Sequence, residues 1–139
     1  MTTVRMIPDE EATGLVREVY DDIKATKGID FVPNFWRALA VNPEHLSATW
    51  HKLKQTMAAG ALDPLTKELI AIAVSATNGC RYCINSHTGA AVKLGMDTRM
   101  FSELLAVVDV FNGTNRLADA YQVEPDAYPE VPPPRGTKD

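Results

Sequence analysis

Two apolar patterns of helical period, LTKELIAIAVSAT and CRYCINSHTGAAVKL, are separated only by Asn78-Gly79. An Asn-Gly pair is a turn signal, so the two segments must fold back on each other as a helical hairpin. Asp63-Pro64 supplies the cap and first turn of the leading helix, which is expected to run to about Asn78. The returning helix is expected from about Cys80 to Leu94, with Gly95 as its stop. This hairpin decides where chemistry can sit. Cys80, Cys83 and His87 follow one another at a helical turn each, so all three project from nearly one face. Glu68 stands ~16 Å down the leading helix from the turn and His87 ~12 Å down the returning one, a difference that side chains can bridge. Cysteines at this spacing have Cα atoms ~5 Å apart, within reach of a disulfide.

The remainder of the chain is punctuated in the same way. Residues 1 to 8 read as an extended arm, after which Asp9 is placed to cap a helix striped by Ala12, Leu15, Val16, Val19, Tyr20 and Ile23. Pro33 suits the start of a short helix, and Asn42-Pro43 ends it and begins a third, striped by Leu46, Trp50, Leu53 and Met57, with Gly60 as the expected terminator. Trp36 and Trp50 are core candidates, and His45 and His51 read as surface residues. Gly89, Ala90 and Ala91 leave a thin surface that another helix could approach closely. Asp97 caps a sixth helix whose Phe101, Leu104, Leu105, Val107, Val108, Val110 and Phe111 are too many for one stripe, so it is expected to be central or to lie in a subunit interface. Gly113 is placed to bend or interrupt it before NRLADAYQV resumes the pattern. No strand alternation, repeat or Gly-rich phosphate loop occurs. The fold class is all-α, about six helices in one domain over residues 1–123, followed by a Pro-rich tail over 124–139 that reads as extended or disordered.

Composition removes several function classes. Of 139 residues 45% are apolar and the net charge is -4, with Lys and Arg scattered, which argues against nucleic-acid or anionic-membrane surfaces. The start MTTVRMIPDEE lacks an apolar signal core, and the longest apolar run, Leu69 to Val74, is too short to span a bilayer. A cytoplasmic location is expected. In a reducing cytosol a single CxxC is redox-active or metal-bound sooner than a structural staple.

The residue types suit thiol chemistry. Only a thiolate is a good nucleophile, and a helix N-terminus favours one at Cys80 and Cys83. His87 can accept the Cys83 proton directly or through a water, and a carboxylate from Glu68 would hold the His87 tautomer. The bland readings are a structural zinc bound by the cysteines and His87, with Glu68, His45 or His51 as fourth ligand, or a solvated Glu68 and a merely packed His87.

Glu68, Cys80-Arg81-Tyr82-Cys83 and His87, together with the upstream VPNFWRALAVNPEHLSATW, resemble the AhpD-like alkylhydroperoxidases of the carboxymuconolactone decarboxylase superfamily over about residues 30–112. That resemblance implies an AhpD-like helical bundle, with Cys83 as the peroxide-attacking thiolate and Cys80 resolving its sulfenic acid into a disulfide. Glu68 and His87 would relay protons. It also implies a hydroperoxide substrate and a thiol or dithiol reductant protein, thioredoxin-like or lipoyl-bearing. Assembly into dimers, trimers or hexamers would follow, with no cofactor and no metal. Where characterised peroxidases often carry histidine before the second cysteine, this chain has Tyr82, an auxiliary candidate. Two alternatives are a decarboxylase acting on a lactone, whose family members generally lack the CxxC, and a non-catalytic redox-sensing or metal-held module.

Overall fold

The structure, a computed structural model, describes residues 1–135. Among them no β-strand occurs, and the helices are α1 (Gly14–Lys27), α2 (Asn34–Leu39), α3 (Pro43–Met57), α4 (Pro64–Thr77), α5 (Arg81–Lys93) and α6 (Thr98–Ala120). The fold is therefore all-helical, as the periodicity requires. No helix among the described residues is long and apolar enough to cross a membrane. The chain divides into two compact units, Met1–Lys67 and the residues from Glu68 onward.

The first unit is built on α1 and α3. Val19, Tyr20 and Ile23 of α1 and Leu46 and Trp50 of α3 recur at helical spacing and are almost completely buried. Trp36 of α2 packs edge-on against Trp50, with ring centroids 5.2 Å apart. The amino-terminal arm is tied down at Ile7, whose amide donates to the Arg37 carbonyl and whose carbonyl accepts from the Tyr20 hydroxyl, each at 3.0 Å.

Two expectations for this unit are corrected. Asp9 does not cap α1: it opens a short 3-10 turn, Asp9–Glu11, and Thr13 takes the N-cap position without a side-chain bond. Two cations draw Asp9 away, since its carboxylate pairs with Arg17 at 2.7 Å and Lys24 at 2.9 Å. Gly60 does not terminate α3, which stops at Met57 where Ala58 turns extended (ψ 151°). There the Lys67 ammonium donates to the Thr56 and Ala58 carbonyls at 2.8 and 2.5 Å, satisfying groups a helix end leaves open.

Asp22 joins the two main helices of this unit. Its carboxylate accepts from the Trp50 indole at 2.6 Å and pairs with Lys54 at 2.7 Å. The Lys54 ammonium first, and the indole second, hold the Asp22 carboxyl below the usual carboxylate range; Lys24 first does the same for Asp9. A depressed folded pKa adds stability that is present above the unfolded value of ~3.9 and is lost as pH falls through the folded value. Urea midpoints should therefore drop as pH falls below about 4. Asp22→Asn, which keeps an oxygen for Trp50 but no charge, should be less stable at pH 7 and flatter across that range. Parallel wild-type and variant curves would remove Asp22 from the pH dependence.

The second unit holds most of α4, all of α5 and all of α6. Gly79 takes φ 71° to turn the chain between α4 and α5, and Gly95 takes φ 101° after α5, both left-handed positions suited to glycine. Asp97 caps α6 by accepting from the Met100 amide at 2.8 Å, as its position in the sequence predicts.

Two expectations for α6 need correction. Gly113 does not interrupt it: the helix is continuous over 23 residues, because one interior glycine costs only about 1 kcal/mol relative to alanine. Nor is α6 central to this chain, since none of its residues is fully buried. Beyond α6, residues 124–135 form neither helix nor strand and are exposed throughout. The final part of the expected tail, 136–139, lies outside the described residues.

Candidate functional site

The site grows from the α4–α5 hairpin. On α4, Glu68 is followed at i+4 and i+7 by Ile72 and Ser75, which are 0% and 8% exposed, so Glu68 stands on the covered face of its helix. On α5, Ala91 lies at i+4 from His87 and is fully buried, which places His87 on the covered face of the returning helix. The turn between them is pinned by the Cys80 amide, which donates to the Ser75 carbonyl at 2.9 Å.

This geometry brings Glu68 and His87 together. His87 Nδ1 lies 2.7 Å from Glu68 Oε2, with side chains 24% and 14% exposed. A carboxylate can only accept, so with Glu68 ionised the hydrogen of this bond sits on Nδ1. One ring nitrogen is thereby assigned to Glu68.

Cys80 occupies the N-cap of α5 and Cys83 lies in its first turn. The two are joined as a disulfide with Cα atoms 5.3 Å apart. The Cys83 amide also donates to Cys80 Sγ at 3.3 Å, so a backbone donor of the helix N-terminus is already aimed at sulfur. His87 follows Cys83 by one helical turn. Tyr82 is 45% exposed. The two sulfurs are bonded to each other, and among the described residues no group of three or more His, Cys, Asp or Glu side chains is gathered as a metal site. His45 and His51 are exposed on α3. A shallow cavity at the end of α6, lined by Ala118, Asp119, Gln122, Val123 and Glu124, contains none of the four candidate residues.

Sequence reasoning passed over two neighbours. Ser75 is buried and its carbonyl anchors Cys80; its place seven residues after Glu68, on the same helical face, was the available signal. Thr88, next to His87, has a hydroxyl oxygen buried without a hydrogen-bond partner. Nothing in the sequence distinguished it from an ordinary helical threonine.

Comparisons with known proteins point the same way. Residues 43–123 match the carboxymuconolactone decarboxylase family. A crystal structure of an alkylhydroperoxidase AhpD core from Rhodospirillum rubrum superposes with a TM-score of 0.87 at 46% identity, covering 91% of this chain and 95% of that one. An alkyl hydroperoxide reductase AhpD from Solibacter usitatus is 31% identical over 66% of this chain, and an (R)-2-haloacid dehalogenase from Pseudomonas putida is 26% identical over 76% of it. The chain spans 50% and 35% of the lengths of those two relatives.

Proposed function

Because the chain belongs to the carboxymuconolactone decarboxylase family and is AhpD-like, we propose that it is a thiol-dependent peroxidase that reduces hydroperoxides through Cys80 and Cys83. The observation that carries this reading is the Cys80–Cys83 bond at the start of the same helix that presents His87 to Glu68 at 2.7 Å. In the reduced protein the neutral His87 ring takes the proton of the Cys83 thiol while Glu68 stabilises the imidazolium that results. The Cys83 thiolate attacks the outer peroxide oxygen; the O–O bond breaks, the alkoxide leaves and takes a proton, and Cys83 becomes a sulfenic acid. Cys80 thiolate then attacks Cys83 sulfur and expels hydroxide, closing the disulfide. An external dithiol supplies the two electrons that reopen it, in keeping with a reductant protein of thioredoxin-like or lipoyl-bearing type.

One feature favours this over lactone decarboxylation: acid–base decarboxylation has no use for a sulfur pair that can close. The reading is tested by mixing the reduced protein with alkyl hydroperoxides. Loss of two thiols per chain is expected, with sustained peroxide consumption when a dithiol is present. Unchanged thiols and no consumption would overturn it.

A further inference from the structure

Once its disulfide is opened, the Cys80–Cys83 pair has a second chemistry available to it. The two Cα atoms are 5.3 Å apart, on backbone held by the first turn of α5 and by the Cys80 amide, which donates to the Ser75 carbonyl at 2.9 Å. Rotation of the two side chains between staggered positions parts the sulfurs far enough to admit one atom between them. Both cysteines are half-buried, whereas Asn78, Gly79, Arg81 and Tyr82 beside them are exposed. An ion can therefore reach the pair without unfolding the hairpin.

The surroundings decide which ion. Zinc in a structural site takes four ligands, and two sulfurs cannot supply them. The histidine one turn along the helix is engaged elsewhere, since His87 Nδ1 bonds Glu68 Oε2 at 2.7 Å. Among the described residues no group of three or more His, Cys, Asp or Glu side chains is gathered to complete a divalent site. Hard cations need oxygen ligands, and the first turn of α5 carries no acidic residue. A closed-shell monovalent ion differs on both counts. Soft thiolates select Cu(I), and a pair of them is enough to satisfy it. The product carries one net negative charge, which suits its place. Cys80 is the N-cap of α5, the Cys83 amide is aimed at Cys80 Sγ at 3.3 Å, and the Arg81 cation stands between the two cysteines in sequence.

We propose that the reduced Cys80–Cys83 pair binds one Cu(I) ion between its two sulfurs. Two S–H bonds give way to two S–Cu bonds, two protons are released, and copper stays monovalent throughout. The site exists only while the sulfurs are not bonded to each other, so peroxide or any other oxidant that closes the disulfide abolishes it. The inference does not rest on the peroxidase reading, because binding needs neither a peroxide nor the Glu68–His87 pair. For the test, the full chain is reduced with a water-soluble phosphine, desalted, and mixed under nitrogen with tetrakis(acetonitrile)copper(I) and bicinchoninate, whose coloured complex reports the copper that the protein has not taken. One copper per reduced chain should remain through gel filtration, and both thiols should become unreactive toward a thiol reagent. The oxidised wild type should retain ~10-fold less, as should Cys80→Ser and Cys83→Ser with helical circular dichroism unchanged. Zinc offered in place of copper should be lost on the column. Substoichiometric copper on the reduced chain, equal copper on the oxidised chain or on either serine variant, or zinc retained at one per chain would each overturn the proposal. If a serine variant does not fold, the comparison of reduced with oxidised wild type decides alone.

Discussion

Replacing Cys83 with serine is expected to abolish peroxide turnover, whereas Cys80→Ser should still react once with peroxide and then stop. The asymmetry follows from the proposed roles. In the proposed mechanism His87, one helical turn from Cys83, accepts its proton, and a serine hydroxyl in its place is too weak an acid to ionise at neutral pH. Without Cys80 the first oxidation remains possible, but no neighbouring thiolate displaces hydroxide, and the product persists as sulfenic acid or is captured by another molecule's thiol. Mass spectrometry after a single addition of peroxide reads the outcome directly. One added oxygen on Cys80→Ser and none on Cys83→Ser is expected. The opposite pattern would exchange the roles of the two cysteines, and the Cys83 amide, which donates to Cys80 sulfur, would then be what favours a thiolate at Cys80.

Glu68→Gln should lower peroxide turnover by ~10²-fold or more, the scale of a lost acid–base contribution. Glutamine keeps the shape of the side chain, so folding should change little. In the proposed mechanism Glu68 acts on the sulfur only through His87, which makes it a positioning residue, and its test needs a readout that packing alone would not move. Alkylation of Cys83 by iodoacetamide at pH 7 provides one, because it too requires the thiolate. Alkylation and turnover should slow together, and the melting temperature of the oxidised protein should be nearly unchanged. Wild-type rates in both assays would reduce Glu68 to a structural hydrogen-bond partner of His87.

Much of this protein was determined by local sequence. Asp63-Pro64, Asn78-Gly79, Gly95 and Asp97 punctuate the helices where cap chemistry and left-handed φ demand particular residues, and these requirements act within a few residues of chain. Because the hairpin follows from them, the meeting of Glu68 and His87 could be anticipated from a count of residues along two helices. Other features were settled by tertiary partners. Asp9 is as good a cap as any aspartate until Arg17 and Lys24 are brought to it, and Gly60 is a plausible helix end until Lys67 takes the carbonyls of α3 earlier. Periodicity showed that α6 carries too much apolar surface for one stripe, but periodicity is blind to which face is covered. That depended on Asn112 reaching Thr77 and on Phe101, Leu104 and Val108 turning inward, which leaves Val107, Val110, Phe111, Leu117 and Tyr121 exposed. Capping is a short-range interaction that residue identity decides, whereas burial is a property of which surfaces meet, and only the assembled chain determines that.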